Sequence, residues 1–335
     1  MLRWFRSYLI DFTGLAIIAI VVYFISFGGW VKGHGTMFQL PNSFLQLNTI
    51  FLSILIEAIP FVLIGVLIAG FIQIFITEEQ IRKWIPKNRF LAVTMSCVVG
   101  AFFPACECGI VPIVRRLVSK GVPIYAGVGF LLTGPLINPI VIFSTYMAFG
   151  NDSEMALKRM IVGFAAAVMI ALIVSFFYQK SQLKEKQTLQ VVSGLPVKKE
   201  SFLRRLDSML KHSIDEFFDV GKYLILGAFF AAFVQTYVSS QTLLQIGEGV
   251  IGSTLVMMGL AFLLSLCSEA DAFIAASFRN VFPTSSVLAF LIYGPMIDLK
   301  NTFMLLSVFK VKFVLNLIVF ITVIVFICTT FLEWF

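Results

Sequence analysis

Two cysteines separated by one residue stand between helix breakers in Phe103-Pro104-Ala105-Cys106-Glu107-Cys108-Gly109-Ile110-Val111-Pro112. Proline removes a backbone donor and glycine admits unusual backbone angles, so a regular helix is disfavoured here. That matters chemically, because thiols two positions apart converge on one ion only where the backbone is not helical. A second stretch, Ser265-Leu266-Cys267-Ser268-Glu269-Ala270-Asp271, again sets a thiol beside carboxylates in apolar surroundings. Soft thiolates select soft or borderline ions such as Zn²⁺ and Cu(I), and trivalent arsenic is thiophilic in the same way. Cys106, Cys108 and Cys267 are therefore candidate substrate and metal ligands. Carboxylates at membrane depth are costly and mark substrate or proton paths, which makes Glu107, Glu269 and Asp271 candidates for coupling. Pairing of Glu269 and Asp271 with Arg279 is the structural alternative. Cys97 and Cys328 read as small apolar residues. His34 and His212 fall in predicted loops and receive no role.

The surroundings of these residues are membrane-like. Of 335 residues 59% are hydrophobic and 13% charged, and the mean hydropathy is +0.96. A soluble domain carries about 25% charged residues, so this chain cannot cover a water-facing surface and lipid must be its solvent. Apolar stretches fall near 8–27, 47–76, 91–113, 122–149, 160–178, 217–238, 250–278, 284–299 and 311–332. The first is longer than a signal-peptide core and lacks a clear cleavage site, so it reads as a retained helix. The net charge of +7 does not point to nucleic acid, since the basic residues collect in a few loops. Eight of the 25 lie between Lys180 and Lys211. Five cysteines in so apolar a chain make no disulfide framework.

An internal repeat organises the stretches. Residues 64–73 align with 226–235 at an offset of 162, which also sets Glu57 opposite Asp219. Gly134-Pro135-Leu136-Ile137-Asn138 answers Gly294-Pro295-Met296-Ile297-Asp298 at 160, and Cys106 answers Cys267 at 161. Asn138 and Asp298 each follow a break and are candidate cavity-lining residues. The helix ending near Ile76 runs into four basic residues, whereas its counterpart ending near Val238 runs into none. By the positive-inside rule the two point in opposite directions, the signature of an inverted repeat with its site at the repeat interface. Basic residues flank both ends of 91–113, so that segment should enter from the cytoplasm and turn back, and 250–278 should do the same from outside. Seven spans and two broken or re-entrant elements are expected, with Lys300, Lys310 and Lys312 in the cytoplasm. The fold class is an all-α polytopic membrane protein. Its parts are an N-terminal helix and external loop (1–44), a first repeat (45–178), a cytoplasmic loop (179–216) and a second repeat (217–335).

Together, FPACECGIVP, LLTGPLINP, SLCSEADAF and YGPMID resemble the bacterial predicted-permease family related to the organoarsenical permeases. The resemblance runs from about Leu45 to the C-terminus. The family's Cys-x-Cys-Gly with a proline three positions on is matched by Cys106, Cys108, Gly109 and Pro112. What the resemblance implies is a multi-pass secondary efflux permease of the cell membrane, rather than an enzyme. Trivalent organoarsenicals are the best-known substrate class. Some members are found with a small membrane-anchored partner protein, so a partner is an expectation here. No nucleotide-binding motif or hydrolase triad occurs, and no cofactor is expected. Transport of another solute with structural cysteines, or thiol oxidoreduction by Cys106 and Cys108, are the competing readings.

The loop charges make a direct prediction. Topology reporters fused after Arg89, Arg116 and Lys199 should all report the cytoplasm, and those after Ser153 and Gln245 the outside. An external signal at Lys199 would overturn the inverted arrangement.

Overall fold

A computed structural model describes residues 42–184, 202–237 and 249–332. The chain divides into a unit up to Gln46, of which only 42–46 are described, and a compact body over Leu47–Phe335. Among the described residues the regular structure is all helical, apart from one isolated bridge between Leu183 and Phe309. The N-terminal helix expected at 8–27 and residues 185–201 of the polar loop lie outside the described residues.

The first repeat holds α1 (Asn42–Phe75), the short α2 (Glu78–Trp84), α3 (Arg89–Ala101), α4 (Glu107–Ser119), α5 (Ile124–Ile137), α6 (Pro139–Ala148) and α7 (Ser153–Phe177). The second holds α8 (Phe202–Tyr237), α9 (Gly249–Leu264), α10 (Ser268–Ser277), α11 (Thr284–Met296), α12 (Leu299–Val308) and α13 (Val311–Phe331). Among the described residues, five elements are long and apolar enough to span a membrane: α1, α5 with α6, α7, α8 from Leu206 onward, and α13. The α11–α12 pair matches α5–α6 in position. It is interrupted at Ile297 and Asp298, and carries Lys300.

Helices α3 and α4 have 13 residues each, about 20 Å at ~1.5 Å per residue, too short to cross a ~30 Å hydrocarbon layer. Their register on α5 shows how they run. Cys97 lies against Gly129, and Gly100 against Phe130 and Thr133, so α3 runs parallel to α5. Ile110 then packs on Gly134, with Val114 and Val118 on Gly127, so α4 returns antiparallel. Both ends of this hairpin lie level with the start of α5. The second repeat does the same: Thr254 meets Ser286 at 3.1 Å and Ala261 lies by Gly294, while Asp271 also touches Gly294 and Phe278 packs on Phe290. The two segments are re-entrant hairpins, as the loop charges anticipated.

The inversion is visible in the long helices. Gly70 of α1 faces Met209 and Ser213 of α8, the Ser213 hydroxyl donates to the Val66 carbonyl (3.1 Å), and the Phe51 ring meets Phe229. Equivalent helices thus run antiparallel. One boundary differs from the sequence reading. Helix α8 begins at Phe202, inside the stretch expected to be loop. The cause is amphipathic spacing, since Ser213, Glu216, Val220, Leu224, Ala228 and Ala231 are all buried at the three-and-four rhythm of one helix face.

A close backbone crossing seats α4 on α1. A Cβ on Gly65 would overlap the Gly109 carbonyl oxygen, and one on Gly109 would lie 2.7 Å from the Phe61 carbonyl oxygen. Gly65→Ala or Gly109→Ala should therefore cost about 1–3 kcal/mol as overpacking. Unfolding in mixed micelles measures this, and Gly221→Ala, where a Cβ meets nothing within 4 Å, should fall near wild type.

Candidate functional site

Each hairpin tip meets the break of the kinked helix in the other repeat. Helix α4 packs on α12, and α10 packs on α6, so each re-entrant return helix touches the kinked helix of the other half. Cys106 and Cys267 are the N-cap residues of α4 and α10, and Asn138 and Asp298 those of α6 and α12. The four positions identified by the repeat therefore end as four helix N-termini.

The breaks are satisfied differently in the two halves. The Asn138 side chain accepts from Val141 N (2.9 Å) and donates to the Gly134 carbonyl (3.2 Å), so the kink is closed locally. Asp298 accepts from Asn301 N (2.5 Å) but cannot donate, and its second oxygen faces Lys300 Nζ at 3.6 Å. The same ammonium lies 3.0 Å from Glu107 Oε1 on the first turn of α4, and donates to the Ser265 carbonyl at 3.4 Å. Ser265 holds a left-handed φ of 50°, rare for a residue with a Cβ. Its hydroxyl accepts from Lys300 N (3.0 Å). Glu107, Asp298 and Lys300 are 2%, 1% and 4% exposed. One buried lysine of the second half thus holds the hairpin tip of the first.

Arginine makes the reciprocal contact. Arg159 of α7, wholly buried, donates to Thr145 Oγ1 (2.7 Å) and to the Ser268 carbonyl (3.3 Å) at the first turn of α10. Its charge is felt by Asp271 and Glu269. Asp271 is 1% exposed and neither carboxylate oxygen has a hydrogen-bond partner.

The thiols divide between the two tips. Cys106 and Cys108 are both buried at the start of α4, and Lys300 and Glu107 are charged neighbours of Cys108. Cys267 is half-buried and lies beside Glu57 and Glu269, while its sulfur accepts from Ala270 N at 3.4 Å. Among the described residues no three His, Cys, Asp or Glu side chains are grouped so as to hold a metal ion. The structure thus places Cys106 and Cys108 at one tip and Cys267 at the other.

Four charged side chains have partners that the sequence did not suggest. Lys300 is not an exposed loop residue: it is buried because two carboxylates and a carbonyl answer its ammonium, whereas Lys310 and Lys312 are exposed. Arg279 does not pair with Glu269 or Asp271; it donates to the Phe149 carbonyl (3.1 Å) and meets Asp152 at 3.3 Å. Arg115 and Arg116 are buried against Glu216 of α8, at 3.2 and 2.7 Å. Lys300 and Arg159 were missed as site residues. A lone cation inside an apolar stretch was the available signal, since such groups are rare at membrane depth.

An open apolar groove of about 970 Å³ between α3, α6 and α7 is lined by Val98, Phe102, Phe143, Tyr146, Leu157 and others. It has no charged side chain in its wall, so it offers an ion nothing.

Among the described residues, five elements long and apolar enough to span a membrane, two hairpins and a charged junction between inverted halves define a polytopic membrane protein. The chain belongs to the predicted permease family ArsP_1, whose profile matches residues 43–333. It is 54% identical to the UPF0718 protein YcgR of Bacillus subtilis (strain 168), over 85% of this chain and 96% of that protein. A Streptococcus mutans protein described as a putative two-component membrane permease complex subunit is 43% identical, over 84% of this chain and 92% of its own length. The UPF0718 protein MJ0584 of Methanocaldococcus jannaschii is 25% identical over 42% of this chain and 38% of that protein. No solved structure matches the chain.

Removing one partner of a buried ion pair costs about 3–5 kcal/mol, because the other charge is left bare. Glu216→Ala, which strands Arg115 and Arg116, should lower stability by that order in a micelle unfolding assay. Lys211→Ala, whose pair with Asp207 is exposed, should change it by less than about 1 kcal/mol.

Proposed function

We propose that this permease is secondary-active and moves a thiophilic metalloid or metal, such as a trivalent arsenical, out of the cell. The observation that carries the reading is the burial of Cys106 and Cys108 together at the start of α4, on the tip of the first hairpin. Two sulfurs on a broken helix form a chelate for a soft ion, and broken helices at a repeat interface are where such carriers place their sites. Lys300 beside Cys108 favours the thiolate that forms as a soft ion displaces the thiol proton. Cys267, on the equivalent tip, supplies a third sulfur in the conformation that brings the two tips together. Asn138 and Asp298 fix the breaks that border the path, and Glu107, Glu269 and Asp271 couple movement of the cargo to an ion. A partner subunit suits a chain whose Streptococcus mutans relative is described as part of a two-component complex.

Growth assays test this with a deletion strain carrying wild type, Cys106→Ser, Cys108→Ser or both, on arsenite, methylarsenite, Zn²⁺, Cd²⁺ and Cu⁺. At equal membrane abundance, the wild type should restore growth on at least one of these and the double variant should not. Cargo affinity should rise with pH as thiols deprotonate. Resistance unchanged in the double variant, or wild-type transport without any thiophilic preference, would sink the reading.

A further inference from the structure

The junction does not balance its charges. Three buried carboxylates, Glu107, Asp271 and Asp298, face two buried cations, Lys300 and Arg159, which leaves one negative charge without a counterpart. Lys300 answers Glu107 and Asp298 directly, at 3.0 and 3.6 Å. Asp298 also takes the Asn301 amide. Arg159 gives its two terminal nitrogens to Thr145 and Ser268. Asp271 is left with no hydrogen bond to either oxygen. The groups facing it are Arg159 from α7, Glu107 from α4, and Asp298 and Lys300 from the α12 break, with Gly294 of α11 closing one side. A bare carboxylate in such a place costs several kcal/mol, and the dipole of α10 supplies only a partial charge.

We propose that Asp271 takes up a single proton, and that Lys300 and Arg159 fix the count at one by cancelling two of the three charges. The proton comes from water on whichever side is open and forms an O–H bond at an Asp271 carboxylate oxygen. A proton fits better than a metal cation, since no three suitable ligands are grouped among the described residues. Its use in transport rests on the coupled-permease reading; the charge count does not, and can be measured without any cargo.

The repeat supplies substitutions that the fold already accommodates. Asp298 and Lys300 answer Asn138 and Ile140 of the first half, so Asp298→Asn and Lys300→Ile copy a working helix break. The experiment is an infrared pH titration of the full-length protein in lipid, reading the carbonyl stretch of protonated carboxylic acids shielded from hydrogen exchange. Wild type should show one such titrating band, and Asp271→Asn should lose it. Lys300→Ile should roughly double the band area, whereas Lys300→Ile with Asp298→Asn should return it to the wild-type value. The double variant also guards against misfolding, since a collapsed junction would not restore the count. A band that survives Asp271→Asn, or equal areas in the single and double Lys300 variants, would overturn the proposal. So would a midpoint that moves when sodium replaces choline at constant ionic strength, which would make the occupant sodium.

Discussion

Backbone polar groups inside a bilayer have no water to bond, so a helix broken there must be answered by protein. This chain breaks its helices four times near one place, after Ala101, at Asn138, after Leu264 and at Asp298. Each break frees amides and carbonyls that the rest of the fold has to meet. Asn138 meets its own, and the Ser265 hydroxyl and carbonyl are met by the backbone and side chain of Lys300. The Ser268 carbonyl is met from the opposite half by Arg159, and the Glu107 carboxylate by Lys300, so neither repeat has a satisfied interior alone.

The same contacts explain why buried charge is tolerated. An isolated ammonium or guanidinium at membrane depth is costly. Lys300 and Arg159 each reach the first turn of a return helix in the other half, where carbonyls and carboxylates gather. Such pairs add little net stability over an apolar filling, and their absence on one side is severe. They act as register pins, since a slip of either hairpin would strand a full charge in an apolar medium.

Much of this architecture was legible in the sequence. Gly-Pro pairs at an offset of 160 and cysteines at 161 marked the breaks, and the loop charges marked the hairpins. These signals are local or periodic, and a single chain displays them. The pairing of Lys300 with Glu107 spans 193 residues, and nothing in either neighbourhood announces the other. Lys300 also lies close enough to Lys310 and Lys312 to read as part of a basic flank. Arg159 follows Lys158 in the same way, yet Lys158 pairs with Glu154 at the helix surface while Arg159 turns inward. Burial of one charge beside an exposed one depends on which helix face meets a neighbour, and pattern alone does not decide that near a helix end.

The two hairpins are also tied at their open mouths, and the ties are unlike. Arg116 near the end of α4 grips Glu216 of the other half with both side chains at least nine-tenths buried. Arg279 just beyond the end of α10 meets Asp152 of the other half with side chains 52% and 31% exposed. The register on α5 and α6 sets these pairs at opposite ends of the molecule, since Val118 lies by Gly127 and Arg279 bonds Phe149. Mobile ions at physiological strength screen charges over roughly 8 Å in water but hardly reach a sealed pair. The electrolyte on one side of the bilayer can therefore loosen its latch, while the electrolyte on the other side cannot. A molecule assembled from two matching halves is in this respect a rectifier, hard on one face and soft on the other.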